Sequence, residues 1–249
     1  QQQRAEADLD IVVYGAGGAM FLENQLDEES LERSLVSVEQ NEQFQALQNV
    51  LCGLPVDFDH DGDLDLILSA AEGVSIWLNS EQPTFAAHSQ FSQLPPAEAR
   101  IHTMLAVDWN RNVSIDIVCL GDGTAGVLEN QLHGQLRWKE FPDKAAAIKS
   151  ASAMALIDAD SNFSWDLVTA GENATRFHPT TNPDAGVVRF LEPQVIAEQP
   201  ASGLTIWDFD NDGYLDTLTW HESTLTTFRG GPLGHFQPAP KLTVELPAD

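Results

Sequence analysis

Five aspartates stand at alternate positions between residues 57 and 65, in the segment DFDHDGDLD. Carboxylates this close repel one another unless a positive charge lies among them. A hard cation such as calcium takes six to eight oxygen ligands. A nine-residue loop offers them from side chains at positions 1, 3 and 5, a backbone carbonyl at position 7 and a carboxylate at position 9. Gly62, at position 6, permits the positive φ that folds such a loop around an ion.

Residues 208–216, DFDNDGYLD, repeat this pattern, again with a glycine at position 6. Neither segment is the helix-flanked calcium loop, which needs a glutamate at position 12, because Leu68 and Thr219 stand there. Zinc is not expected, since no Cys or His recurs at ligand spacing. The alternative to a metal site is an aspartate-rich turn whose side chains accept hydrogen bonds from its own backbone.

Two further segments keep part of the pattern. Residues 158–166 read DADSNFSWD and retain Asp158, Asp160, Asn162 and Asp166, and residues 108–116 read DWNRNVSID and retain Asp108, Asn110, Asn112 and Asp116. Phe163 and Val113 replace the glycine, and a β-branched residue resists positive φ. We number the four segments in chain order: first loop (57–65), second loop (108–116), third loop (158–166) and fourth loop (208–216). We expect no metal or only weak metal binding in the second loop. Whether the third loop binds a metal is not decided by the sequence.

The loops belong to an internal repeat. The stretches LDIVVYG, LDLILSA, IDIVCLG, WDLVTAG and LDTLTWH align on Asp10, Asp65, Asp116, Asp166 and Asp216, at spacings of 55, 51, 50 and 50 residues. The repeat divides the chain into units at about 8–56, 57–107, 108–157, 158–207 and 208–249. Self-similarity at this period is typical of solenoids and propellers.

Alternation with period two and glycine-containing turns predict about four strands in each unit. A four-stranded sheet of this size cannot bury both its faces alone, and radial stacking gives a β-propeller. We therefore predict an all-β fold, a single propeller domain over residues 1–249 with four-stranded antiparallel blades. KLTVELPAD, at 241–249, would complete the first sheet and close a five-bladed ring. The alternative is that the chain forms only part of a larger propeller with more blades. Residues 27–48 are interpreted as an insertion or loop around a strand.

The two complete loops, each between apolar strands, resemble the FG-GAP or VCBS repeats of integrin-like β-propellers, and the resemblance covers essentially the whole chain. It implies that each loop joins the innermost strand of a blade to the next strand and binds calcium. The implied ligands are Asp57, Asp59, Asp61, the carbonyl of Asp63, and Asp65, and then Asp208, Asp210, Asp212, the carbonyl of Tyr214, and Asp216.

The strongly acidic composition argues against two classes of binding partner. Lys and Arg total 12 against 38 Asp and Glu, a net charge of -26, which argues against nucleic acid and anionic membrane surfaces. No apolar run reaches the length of a membrane span, so direct membrane insertion is not expected. Cys52 and Cys119 lie in apolar runs and are predicted to be buried thiols rather than a disulfide.

We expect a calcium-binding extracellular, cell-surface or periplasmic module for binding, adhesion or scaffolding, with a protein or carbohydrate ligand and no catalytic residues. GAGGAM, at 15–20, has Met20 where a dinucleotide loop needs its third glycine, and is interpreted as a hairpin turn. The alternatives are a propeller-scaffold enzyme, such as a calcium-dependent polysaccharide lyase or hydrolase, and a structural spacer. The resemblance puts ligand recognition on the turns opposite the loops, at 15–18, 71–73, 122–124, 172–175 and 221–224.

Overall fold

The structure is a computed structural model that describes residues 9–27, 29–79 and 84–239. In this part of the chain the fold is all-β, with four four-stranded antiparallel sheets, one three-stranded sheet and one two-stranded hairpin. The chain divides into two compact units, residues 1–102 with 131–137 and residues 103–130 with 138–249. The prediction of one domain over 1–249 stays a prediction.

The first unit holds two sheets and a short helix. The first sheet has the order β1 (Ile11–Gly15), β2 (Gly18–Leu26) and β3 (Arg33–Val38), followed by α1 (Glu42–Gln45). The second has the order β4 (Cys52–Val56), β5 (Asp65–Ala70), β6 (Gly73–Leu78) and β7 (Ala86–Ala87). β3 confirms a strand within 27–48, and the pairing of Gly15 with Gly18 confirms the hairpin turn. The closing strand predicted at 241–249 lies outside the described residues.

The second unit holds most of three four-stranded sheets. The third sheet comprises β8 (Ile101–Val107), β9 (Asp116–Gly121), β10 (Thr124–Asn130) and β11 (Leu136–Glu140). In the fourth sheet, β12 (Ala151–Ile157), β13 (Asp166–Gly171) and β14 (Thr175–His178) precede a separate hairpin of β15 (Thr180–Asp184) and β16 (Val187–Phe190), and β17 (Gln194–Ala197) follows it. The fifth comprises β18 (Gly203–Trp207), β19 (Asp216–His221), β20 (Thr224–Arg229) and β21 (Gln237–Pro238). Short 3₁₀ segments are Ser89–Phe91, Ala97–Ala99, Asp143–Ser150 and Pro232–Gly234.

Neighbouring sheets within a unit pack through apolar side chains. In the first unit a cluster joins Phe21 of β2 to Leu66 and Leu68 of β5. In the second unit one cluster joins Val118 and Leu120 of β9 to Met154 of β12, and another joins Val168 of β13 to Leu204 of β18. The central strands β5, β9 and β13 are buried along their whole length, as expected for strands covered on both faces.

Both cysteines are buried and neither forms a disulfide, which confirms the predicted thiols. No helix in the described part of the chain combines the length and apolar character needed to cross a membrane.

Candidate metal-binding loops

Each loop connects the first two strands of its sheet. The first loop lies between β4 and β5, the second between β8 and β9, the third between β12 and β13, and the fourth between β18 and β19. The aspartate at position 9 is in every case the first residue of a central strand. The last position of each loop is therefore fixed by the sheet.

The four loops share one backbone conformation, with positive φ at positions 4 and 6. Position 4 is held by His60, Arg111, Ser161 and Asn211, with φ between 59° and 63°. Position 6 is held by Gly62 (φ 99°), Val113 (72°), Phe163 (65°) and Gly213 (90°). Val113 adopts positive φ although its side chain is β-branched, and the expectation of no metal or only weak binding in the second loop stays a prediction. The hydrogen bonds of the loop and the fixed strands on either side impose positive φ on Val113 against its steric preference.

Val113 and Phe163 are 87% and 78% exposed, so no packing offsets this strain. We expect Val113→Gly and Phe163→Gly each to raise the free energy of unfolding by about 0.5 to 1 kcal/mol, because glycine adopts positive φ without a clash and loses part of that gain to its greater unfolded-state freedom. Urea denaturation measures the change. The matched control is Leu215→Gly, an exposed loop residue without positive φ, which should destabilise. A loss of stability in both Val113→Gly and Phe163→Gly would contradict the strain.

The position 1 carboxylate closes each loop. In the fourth loop, Asp208 accepts the amide of Asp212 through Oδ1 (3.1 Å) and that of Gly213 through Oδ2 (3.1 Å). Asp108 and Asp158 accept the corresponding two amides in the second and third loops. In the first loop, Asp57 Oδ2 accepts the amide of Gly62 at 3.2 Å. The loops thus contain the side-chain to backbone bonds of an aspartate-rich turn, and these bonds are compatible with a metal site.

In three loops the carboxylates also converge. Within each group, one oxygen per residue lies within 4.8 Å of the others. The groups are Asp57, Asp59 and Asp61 in the first loop, Asp158, Asp160 and Asp166 in the third, and Asp208, Asp210 and Asp216 in the fourth. The repulsion between two such charges is about 1 to 4 kcal/mol, depending on how well water screens them. The third loop, left open by the sequence, therefore gathers as many carboxylates as the two complete loops.

Four of the ten ligands that the sequence predicted lie outside the converging groups of carboxylates. Asp63 and Tyr214, at position 7, donate their amides to Asp61 Oδ1 and Asp212 Oδ1, both at 2.9 Å. Asp212 is outside the converging group of its loop, and Asp65 is outside that of the first loop. Ligation by all ten residues stays a prediction.

The position 9 aspartates are buried. Asp65, Asp116, Asp166 and Asp216 are 0 to 1% exposed. Oδ1 of each accepts an amide from the last residue of the third strand of its sheet or from one of the two residues that follow, as Asp216 does from Gly230 at 2.8 Å. In the second, third and fourth loops Oδ2 accepts the amide at position 2, as Asp216 does from Phe209 at 2.9 Å. This side chain ties the loop to its sheet, a role that the alternating pattern did not reveal.

Burial changes the acidity of these groups. Loss of hydration, with a smaller contribution from neighbouring carboxylates, raises the pKa of Asp65 to about 7, of Asp116 to about 6 and of Asp166 to about 7. Amide hydrogen bonds oppose this shift but do not cancel it. A bound cation would favour the ionised form of Asp65 and Asp166 and lower these pKa values.

The first loop has a buried oxygen atom that needs a partner. Within the described residues, no donor meets Asp57 Oδ1 with hydrogen-bond geometry, and this atom is buried. A buried carboxylate oxygen without a partner is costly. Since the converging side chains of the loop offer only carboxylate oxygens, they fit a hard cation such as calcium better than a transition metal.

Comparison with known proteins identifies the repeat and the fold. Residues 57–119 match the family model of the FG-GAP-like repeat. A search of curated proteins found no match to the sequence. Among the solved structures that match is a lectin from Agrocybe aegerita that recognises non-reducing terminal N-acetylglucosamine, with a TM-score of 0.66 and 18% identity over 96% of this chain. The chain spans 63% of the length of that lectin chain.

At this identity the likeness to the lectin concerns the fold alone. The family match begins at the first aspartate of the first loop and extends through the second loop into β9, so it includes both loops and the strands β5 to β8 between them. The motif that the sequence predicted is confirmed: residues 57–119 are an FG-GAP-like repeat.

Proposed function

We propose that the chain is a calcium-stabilised β-propeller that acts as a binding module outside the cytoplasm, with five blades formed by its five sheets. The observation that carries the calcium proposal is the convergence of three carboxylates in each of three loops, together with the unpartnered buried Oδ1 of Asp57. The residues that would hold the ion are those of the first and fourth loops, and the third loop has a comparable set. Calcium would neutralise the loops and fix the strands on either side of them.

Each of the four sheets that carry a loop has the loop and a hairpin turn at opposite ends of its central strand. β19 begins at Asp216 of the fourth loop and ends at His221, before the exposed turn at Glu222. Exposed acids occupy the corresponding turns at Glu72, Asp122 and Glu172. These carboxylates are hydrogen-bond acceptors, which suits a ligand rich in hydroxyl or amide donors. We therefore favour a carbohydrate ligand on the turn side and a stabilising role for the metal on the loop side.

The fifth sheet offers an aromatic surface beside its turn. Trp220 is 39% exposed and its ring lies over Gly203, where a Cβ would come within 2.1 Å of the ring. Gly203 therefore keeps the space that the indole occupies. An exposed indole two residues before Glu222 can contact the apolar face of a sugar ring while the acid accepts hydroxyl hydrogen bonds.

A glycan array probed with and without calcium tests ligand binding. The proposal predicts binding to one class of glycan that is lost in Trp220→Ala, whose loss of stability should be about 1 kcal/mol, the same as that of the control below. The control is Trp165→Ala, which removes a similarly exposed indole (38%) from the third loop and should leave binding intact. Turnover assays on any bound glycan distinguish a binding module from an enzyme, and absence of any binding would favour the structural spacer.

Calcium should stabilise the protein modestly. Calcium sites in extracellular modules have dissociation constants of about 0.1 to 1 mM, so about 1 mM calcium contributes roughly 0.4 to 1.4 kcal/mol per site. For two sites the melting temperature should rise by roughly 2 to 10 °C relative to EDTA. The effect should be larger at about pH 8 than at about pH 5.5, because protons compete for Asp65 below its pKa of about 7.

Differential scanning fluorimetry of three proteins measures this response. Asp61→Asn keeps the acceptor for the amide of Asp63 but removes one charge from the first loop, so its response to calcium should be smaller than that of the wild type. Asp184→Asn removes an exposed acid outside the loops and should respond like the wild type. A melting temperature indifferent to chelator at both pH values would exclude a structural role for calcium.

A further inference from the structure

Within the part of the chain that the structure describes, the fourth loop differs from the others in that a basic side chain is paired with one of its converging carboxylates. Arg229, the last residue of β20, places Nε 2.9 Å from Oδ2 of Asp210. Asp210 belongs to the group of three carboxylates in this loop, and its Oδ1 accepts the amide of Asp212 at 3.3 Å. One of the three carboxylates therefore already has a cationic partner.

The strand register identifies the equivalent residues in the other sheets that carry a loop. Phe228 pairs with Thr217 as Trp77 pairs with Leu66, so Arg229 corresponds to Leu78 in the second sheet. By the same register it corresponds to Glu129 in the third sheet and to Pro179 in the fourth. Among these four sheets, the fifth alone has a basic residue at this position.

This position faces position 3 of the loop. In the third sheet, Glu129 accepts a hydrogen bond from Asn110 Nδ2 at 3.3 Å and is paired with Lys139. In the fifth sheet, Arg229 is paired with Asp210. In the third and fifth sheets, the residue at this position therefore sets the charge that the position 3 side chain experiences. In the second sheet the equivalent position holds Leu78, which has no charge.

We propose that Arg229 is a built-in competitor of calcium, which lowers the calcium affinity of the fourth loop below that of the first and keeps the loop folded when calcium is absent. This inference rests on the proposed calcium site. The guanidinium donates to Asp210 and offsets part of the negative charge of the loop. A divalent ion that binds there must share or displace it, and the two cations repel each other. In the first loop no Lys or Arg of the described chain is paired with Asp57, Asp59 or Asp61.

Arg229→Leu, which copies the second sheet, tests the competition, and Arg229→Gln does so without adding an exposed apolar side chain. Both are made in the Asp61→Asn background, which weakens the first loop. Isothermal titration with calcium chloride should show about three- to tenfold tighter binding than in the background protein, a magnitude set by the half-exposed position of the guanidinium. In EDTA both variants should melt at a lower temperature than the background protein, and calcium should remove most of that difference.

The matched control is Lys144→Leu, which deletes an equally exposed cation from the Lys144–Glu192 pair, away from any loop, and changes net charge by the same amount. Equal calcium affinity in Lys144→Leu and the Arg229 variants would overturn the competition, as would weaker binding in the Arg229 variants. If neither the wild type nor any variant binds calcium, the calcium proposal fails first and the role of Arg229 fails with it. Calcium binding by the wild type with no effect of Arg229 overturns the competition alone.

Discussion

Asp116→Ala should lower the free energy of unfolding by about 3 kcal/mol at about pH 5. Asp116 is fully buried and accepts the amides of Asn130 through Oδ1 (2.8 Å) and Trp109 through Oδ2 (3.2 Å). Alanine removes both acceptors and leaves the two amides without them, at a cost of about 1 to 3 kcal/mol each. The second loop has only two carboxylates, so this effect is largely independent of metal.

The loss should be smaller at higher pH. Burial raises the pKa of Asp116 to about 6, with a further increase from the charge of Glu129. A carboxyl with a folded pKa above its unfolded value of about 4 stabilises the fold at low pH, and this contribution is lost as the pH rises through 6. The wild type loses that stability and the alanine variant does not. The difference between them should therefore decrease by about 1 to 2 kcal/mol between about pH 5 and about pH 8.

Urea denaturation of the wild type and variant at both pH values, in EDTA, measures the two effects. Asp143→Ala, at an exposed acid in the first turn of a 3₁₀ segment, is the control and should cost less than about 1 kcal/mol at either pH. A cost for Asp116→Ala that grows with pH would mean that the ionised carboxylate is the favoured form in the fold, and would contradict the raised pKa.

Much of the fold could be predicted because two different patterns agree. The spacing of Asp65, Asp116, Asp166 and Asp216 located the start of four central strands, and the period-two alternation located their partners. The same aspartates proved to be the buried residues that hold each loop to its sheet. An aspartate that recurs at the same position of every repeat can be recognised from the sequence alone. Its role in tying the loop to the sheet could be recognised only from the hydrogen bonds in the structure.

Other features depend on contacts that the repeat pattern does not contain. The conformation of Val113 and Phe163 follows from the hydrogen bonds of the whole loop, which override the preference of a single residue. The hairpin of β15 and β16 left no trace in the repeat spacing of 50 residues, although the turn residues NPDAG between Thr181 and Val187 were a local signal. The pairing of Arg229 with Asp210 required the strand register.

The hairpin has a clear anchor in the third sheet. Trp109, at position 2 of the second loop, is 3% exposed, and its ring centroid lies 5.7 Å from that of Phe141 and 6.0 Å from that of Phe190 of β16. The two phenylalanine rings meet edge to face at 4.9 Å. The backbone adds to this contact, because Gly186 donates its amide to the carbonyl of Asn110 at 2.7 Å. One indole thus connects the loop, the third sheet and the hairpin.

Trp109→Ala should therefore lower the free energy of unfolding by about 4 kcal/mol, since it removes a large buried ring and leaves a cavity between Phe141 and Phe190. The hairpin should also loosen, and limited trypsin digestion should cut faster after Arg189, an exposed residue of β16. Trp165→Ala, in the third loop, removes an indole that is 38% exposed and should cost about 1 kcal/mol without a change in cleavage at Arg189. If the two variants lost equal stability, or if Arg189 remained protected in Trp109→Ala, the indole would not be what holds the hairpin against the second loop.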